Sequence, residues 1–318
     1  MQKVVTIGEI VVEIMASEPG VGFLEPLTLK GPFPSGAPAI FIDQVARLGQ
    51  PCGIVSCVGN DDFGRLNVNR LKADGVDVSA IRVIPEFATG SAFVRYREDG
   101  NRDFVFNIKQ SANGQIGPAP EVDALLASAD CLHVMGSALF CEGVVSLTLQ
   151  AIDAIKAEHG LISFDPNLRK EMLDLPGMRQ AMESILERAD LFLPSGPELN
   201  LLTQAKDEAG AIAELLASGV KAVVLKCGAH GASYFDAQGR IDQAAFPVEE
   251  IDPTGAGDCF GGAFVTAWLR GEKPADALRL AAGAGALAVT RKGPMEGTST
   301  RAEIDAFLSR QGASDPVA

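Results

Sequence analysis

From about residue 121 onward, short apolar runs alternate with segments of helical period, and this restricts the fold more than any other feature of the chain. Strand-length runs at 131–135, 161–164, 191–193 and 222–225 are separated by helical patterns at 144–158, 178–188 and 208–218. Runs that are apolar on both sides, joined by helices, predict a parallel sheet covered on both faces. The same rhythm opens the chain, with a strand at 4–7, a helix at 39–48 ended by Gly49, a strand at 52–58 and a helix at 64–74. Between Val83 and residue 112 the rhythm breaks. The runs 91–96 and 104–108 flank Glu98-Asp99-Gly100-Asn101, which reads as a hairpin turn, and Phe93, Arg95 and Arg97 alternate with Ala92, Val94 and Tyr96. That region predicts an antiparallel sheet with one face exposed or covering a ligand. Short strands at 233–235 and 241–244 follow later, and the last seven residues, from Gly312, read as disordered.

Composition narrows the setting. The 318 residues are 47% hydrophobic and 21% charged, a globular balance, and no uncharged apolar run reaches the roughly 18 to 20 residues of a membrane span. The N-terminus enters a strand directly without a signal-peptide pattern, so the cytoplasm is the expected compartment. The six cysteines form no Cys-x-x-Cys pair and read as reduced, buried thiols. His133 lies in the apolar run Cys-Leu-His-Val-Met and reads as a core residue, and the three histidines are too scattered for a metal centre. A net charge of −14 without a basic cluster argues against nucleic acid and anionic membranes as partners.

The segment Asp252-Pro-Thr-Gly-Ala-Gly-Asp258 places a flexible turn and a carboxylate at the start of an apolar helix carrying Phe260, Phe264 and Trp268 at i, i+4 and i+8. Backbone N–H groups of Gly255, Ala256 and Gly257 would face an anion at that helix end. Asp258 is then either a plain cap for those groups or a base that takes a proton from a hydroxyl while the amides hold developing charge. Ligands of open parallel sheets bind beyond the carboxyl ends of the strands. Three further loops fall there: Asp165-Pro-Asn167-Leu-Arg169, Pro194-Ser195-Gly-Pro-Glu198 and Lys226-Cys-Gly228-Ala-His-Gly231. Four polar loops at strand ends read as one phosphate-handling cleft. The P-loop pattern is absent, and Phe260 stands where a dinucleotide fingerprint needs its third glycine, which weakens a nicotinamide oxidoreductase.

On these residues the chain resembles the ribokinase-like, or PfkB, carbohydrate kinases over nearly its whole length, the 252–258 segment matching their C-terminal signature. The resemblance implies an α/β three-layer sandwich around a mostly parallel sheet, in one domain spanning 1–318, with a small β-sheet lid from about 10–34 and 83–112. It implies ATP-dependent phosphorylation of a sugar hydroxyl, with Asp258 as base, Gly255, Ala256 and Gly257 as anion hole and Arg169 near the phosphoryl group. Asn167, Ser195, Lys226, Gly228, Gly231, Thr254, Gly285 and Ala288 fall on nucleotide-binding positions. Glu198 falls on the position that organises Mg²⁺ through water; Ser195 departs from the Asn usual in that element. A monovalent cation such as K⁺ would use the loops near Asp252 and Gly293, and the lid strands would pair two subunits into a homodimer.

At the sugar end, the resemblance assigns Glu13, on the first strand, with Gly36 and Ala37 from the N-terminal signature, here Ser35-Gly-Ala-Pro-Ala-Ile40. Ile40 replaces an Asn and cannot hydrogen-bond a hydroxyl, which makes Asp43, one helical turn on, a substitute candidate. Arg95, Asn107 and Lys109 are the lid candidates. Ile108 stands where ketogluconate kinases carry Arg, which disfavours a sugar acid. The run from Gly31 to Gln44 is similar to that of bacterial tagatose kinases and implies a neutral ketohexose phosphorylated at its terminal hydroxyl. Fructose and 2-keto-3-deoxygluconate are the alternatives, followed by a nucleoside or a non-catalytic sugar-sensing scaffold.

Overall fold

The computed structural model describes residues 1–20, 22–98, 102–168 and 177–312. Its centre is a nine-stranded sheet in the order β13-β12-β11-β10-β9-β8-β1-β4-β5. The strands are β1 (Val4–Ile7), β4 (Cys52–Val58), β5 (Ile81–Val83), β8 (Cys131–Met135), β9 (Leu161–Asp165), β10 (Leu191–Phe192), β11 (Ala222–Lys226), β12 (Ala232–Asp236) and β13 (Gly239–Gln243). From β5 across to β11 every pairing is parallel; β12 and β13 add an antiparallel edge. Val4, Val5, Leu132, Ile162, Phe164, Leu191, Phe192 and Val223 are fully buried, as expected of strands covered on both faces.

Helices cover both faces. Ala37–Arg47, Ala256–Leu269 and Pro274–Ala288 join one hydrophobic core, while Glu142–Ala157, Met178–Leu186 and Glu208–Ala217 join the other. Local chemistry sets their ends. Asp61 caps Asp62–Asp74 by accepting from the Gly64 N–H at 2.8 Å, and Gly75 closes it at φ 99°. Ala256–Leu269 is buried continuously from Cys259 to Ala267, because helices 37–47 and 274–288 flank it. None of the described helices is long and apolar enough to cross a membrane.

The second sheet has four strands, in the order β3 (Leu29–Ser35), β2 (Val11–Ala16), β6 (Gly90–Tyr96) and β7 (Arg102–Asn107). It differs from the antiparallel expectation at its centre, where β2 and β6 run parallel. These two strands lie far apart in sequence, and the intervening chain through β4 and β5 provides the long crossover that parallel pairing needs. The β5 strand, containing Val83, belongs to the edge of the large sheet instead. Of the expected hairpin turn, residues 99–101 lie outside the described residues.

His133 is a core residue: it is fully buried, its ring stacks on Phe41 at 3.6 Å, and Nδ1 lies 3.0 Å from Ser163 Oγ. Burial, and then the charge of Lys226, hold its pKa well below the usual imidazole value. All six cysteines are free thiols.

Candidate active site

The carboxyl ends of β9, β10 and β11 bring three of the expected loops to the N-terminus of helix Ala256–Leu269. Gly255 precedes this helix at φ 85°, a left-handed conformation open to glycine, and a Cβ there would lie 2.5 Å from Pro294 O. The turn therefore needs glycine both for its backbone angle and for the close approach of the 293–295 segment. The first-turn amides of a helix lack intrahelical acceptors, and no side chain caps this end among the described residues. Asp258, partly exposed, stands in that first turn, and Asn167 Nδ2 donates to its Oδ1 at 3.4 Å. Asn167 holds an unusual φ of 40°, and its N–H donates to Asp165 Oδ1 at 3.1 Å. The strained residue is thus fixed at both ends, by its backbone to Asp165 and by its amide to Asp258.

Asp165, 1% exposed, forms a tight ion pair with the ammonium of Lys226. Lys226 Nζ also lies 4.0 Å from where a Cβ on Gly257 would be, which sets a positive charge beside the helix N-terminus. Glu198 closes the group: Oε1 accepts from the Leu168 N–H at 2.7 Å and Oε2 from the Ser195 N–H at 2.6 Å. Burial and then the nearby Asp165 charge raise its pKa, against the opposing pull of Lys226 and the two amides. Gly228, at φ 55°, stands on an exposed turn after β11, and Gly231, at φ 101°, passes so close to Gln243 O that no Cβ would fit. Arg169 lies outside the described residues.

Among the residues expected at the sugar end, Glu13 is 3% exposed and sits on β2, the second strand; Ser35 Oγ donates to its Oε2 at 3.2 Å. Gly36, at φ 111°, starts helix Ala37–Arg47, and a Cβ on it would strike Glu9 O at 2.4 Å. Ala37 and Ile40 are buried, and Ile40 Cγ2 would lie 3.2 Å from a Cβ at Gly255. The apolar Ile40 side chain thus packs beneath the Gly255 turn.

The folded positions of Asp43, Arg95, Asn107, Lys109 and Ala288 differ from the expected ones. Asp43 is sealed from solvent, where its Oδ2 accepts from Thr298 Oγ1 at 2.7 Å and Arg70 Nη2 at 3.4 Å; it braces helix against loop and does not line a cleft. Arg95 and Asn107 are turned away by the pleat. The register puts Glu13, Ala92 and Phe106 on one face of the small sheet, together with Tyr96 and Arg102, and puts Phe93, Arg95 and Asn107 on the other. There Arg95 pairs with Asp103 at 2.7 Å. Lys109 is exposed in the turn after β7. Ala288 is 1% exposed and packed under Gly297, so of the small-residue pair only Gly285, set against Ala256 and Phe260, keeps an accessible surface. Tyr96, Arg102, Phe104 and Phe106 share the face with Glu13 and are not among the sequence candidates. Strand parity could have suggested Tyr96, since it falls in the same alternating set as the apolar Ala92 and Val94.

The pfkB family carbohydrate kinase model matches residues 1–301, and the chain belongs to that family. An E. coli structure provisionally named ribokinase II, in complex with ATP and Mg²⁺, is 52% identical, with 98% of this chain and 100% of that one covered and a TM-score of 0.92. The Arabidopsis thaliana protein named probable fructokinase-3 is 32% identical, covering 97% of this chain and 92% of its own. The 2-dehydro-3-deoxygluconokinase of Thermoproteus tenax is 31% identical, covering 97% and 94%. The protein is a carbohydrate kinase with the ribokinase-like α/β fold.

Proposed function

We propose that this enzyme transfers the γ-phosphoryl group of ATP to the terminal hydroxyl of a neutral ketohexose, with D-tagatose the preferred sugar and its 6-phosphate the product. The observation that carries the reading is Asp258 in the first turn of a helix whose amides are uncapped, held by Asn167 and flanked by Lys226. Asp258 removes the hydroxyl proton as the sugar oxygen bonds the γ-phosphorus; the bond from that phosphorus to the β–γ bridging oxygen breaks, and ADP leaves. The amides of Gly255 to Gly257 and the Lys226 ammonium stabilise charge on the group in transit. Nucleotide phosphates lie along Lys226, Gly228, Gly231 and Thr254, with Asn167 and Ser195 beside them and Gly285 toward the base.

The acidic pair Asp165 and Glu198 suits a hydrated Mg²⁺. Among the described residues no cluster of three His, Cys, Asp or Glu side chains could hold the ion alone, so phosphate oxygens and water would supply further ligands. An ion held there would supply positive charge to offset that of the phosphates, and Glu198 would order its water. A K⁺ ion would meet the loops at Asp252 and Gly293, whose N–H donates to Asp252 Oδ2 at 3.1 Å.

Glu13, Ser35, Gly36 and Ala37 form the sugar end under the small sheet, which serves as lid. Its edge strands β3 and β7 carry exposed Leu29 and Val105, a surface suited to a second copy of the chain. The similarity to fructokinases supports fructose as the second reading. A coupled ADP-release assay with ATP and Mg²⁺ against tagatose, fructose, 2-keto-3-deoxygluconate, ribose and adenosine tests the proposal. Tagatose is expected to give the largest kcat/KM; a larger value for fructose would shift the assignment, and turnover of adenosine alone would overturn it.

A further inference from the structure

Two neighbouring side chains of the small sheet end on the anion-hole turn. Tyr96 of β6 and Arg102 of β7 are cross-strand partners, on the face that also carries Glu13. The Tyr96 hydroxyl donates to Asp252 Oδ1 at 3.1 Å, and Arg102 Nη1 donates to Thr254 Oγ1. Asp252 is fully buried. Its Oδ1 also accepts from the Thr254 N–H at 3.0 Å and its Oδ2 from the Gly293 N–H at 3.1 Å. One carboxylate therefore gathers three segments: the small sheet, the turn that leads into Gly255, and the 293–295 loop that packs on Gly255. Burial, and then the charge of Asp252, push the Tyr96 pKa up, so the hydroxyl keeps its proton and donates. The Arg102 guanidinium lies 5.7 Å from the Phe104 ring centroid, which steadies it from the sheet side.

We propose that Tyr96 and Arg102 are positioning residues that clamp the small sheet to the 252–255 turn, so that covering the sugar and setting the anion-hole amides are a single event. The proposal rests on the phosphoryl-transfer reading above. Neither residue needs to touch the reacting atoms: each acts through Asp252 or Thr254 on the backbone that begins the helix at Gly255. A small sheet that shifts away from the large one must break both contacts together, because they leave adjacent positions of one hairpin. The turn then loses the brace of Tyr96 on Asp252 and of Arg102 on Thr254, immediately ahead of the amides whose alignment the group in transit requires.

The test uses full-length Tyr96→Phe, which removes one oxygen, with Arg102→Met and Arg102→Lys. Steady-state kinetics with ATP and the preferred ketohexose are combined with amide hydrogen exchange over 252–258, 289–295 and, as control, helix Glu142–Ala157. Tyr96→Phe and Arg102→Met are each expected to lower kcat about tenfold, with the KM for ATP changed less than about twofold. Arg102→Lys recovers part of the loss. Exchange over 252–258 quickens while the control helix is unchanged. Unchanged exchange over 252–258 in an active enzyme overturns the clamp, as does quickening of equal size across the whole fold, which marks a merely structural loss. Selective quickening over 252–258 in a protein whose wild type turns over no sugar supports the clamp and overturns the kinase substrate reading instead.

Discussion

Replacing Lys226 by Met keeps an unbranched stem of similar length and removes the ammonium. The Lys226 side chain is 11% exposed and its partner Asp165 is 1% exposed, so the change strands a carboxylate away from water. Among the described residues, the Asn167 N–H at 3.1 Å is the one other donor to it. Breaking a buried pair in this way costs about 3–5 kcal/mol, and the slight access of Lys226 to water points to the lower end. Removing both charges should cost much less, so Asp165→Asn in the Lys226→Met background should restore more than about half of the lost stability. Urea unfolding of the two single variants and the double gives the coupling. Activity follows a different pattern. It falls in every protein lacking the ammonium, and in the single Lys226→Met variant, where the burial and the Asp165 charge that raise the Glu198 pKa are no longer opposed by Lys226, the acidic limb of the kcat profile moves to higher pH. A Lys226→Met cost below about 1 kcal/mol, or a double variant no more stable than Lys226→Met, would refute the buried-pair argument.

Two other perturbations test the frame around the site. Gly255→Ala forces a left-handed φ on a residue with a Cβ and drives that atom toward Pro294 O; we expect a loss of about 2–4 kcal/mol in thermal or urea unfolding together with reduced kcat. A variant as stable and active as wild type would show that the turn tolerates a side chain. The Asp43 pKa is pushed up to about 7, mainly by burial, from 3.8, so the folded state holds its proton more firmly than the unfolded chain. Its contribution is fully present below about pH 4, declines as pH rises toward 7, and is level above that. Asp74 is shifted the opposite way: burial alone would raise its pKa, but Arg70 and its other partners lower it, so it titrates below this window. Urea unfolding of wild type and Asp43→Asn across pH 4–8 should show the wild type losing stability relative to the variant between 4 and 7; parallel curves would contradict the burial argument.

The large sheet was legible because strands buried on both faces leave uninterrupted apolar runs, as at Cys131–Met135 and Ala222–Lys226. The turn at Gly255 and the helix start behind it were legible because a glycine at positive φ before a carboxylate-bearing helix is a local matter of backbone sterics. The lid contacts were not. Which of two alternating sets faces the cleft depends on strand pairing, and with β6 paired to β2 on one side and β7 on the other, the parity that puts Tyr96 on the face of Glu13 puts Arg95 and Asn107 on the opposite face. Asp43 went astray for a related reason: its partners Arg70 and Thr298 lie 27 and 255 residues away, and helical spacing from Ile40 carries no trace of either. Asn167 shows the opposite case. Its sequence position predicted the site, but its role as the amide that holds Asp258 required the folded loop.

The central claim is that Asp258 is the base of a phosphoryl transfer whose amide cradle is built independently of it. Turnover of Asp258→Asn and wild type at saturating ATP, Mg²⁺ and preferred ketohexose tests it most directly, with both ligands' affinities measured by calorimetry. The variant is expected to show a kcat lower by about 10² to 10⁴-fold, with ATP affinity changed less than about threefold. A variant that turns over within about tenfold of wild type, with both ligands bound equally, would remove Asp258 from that role.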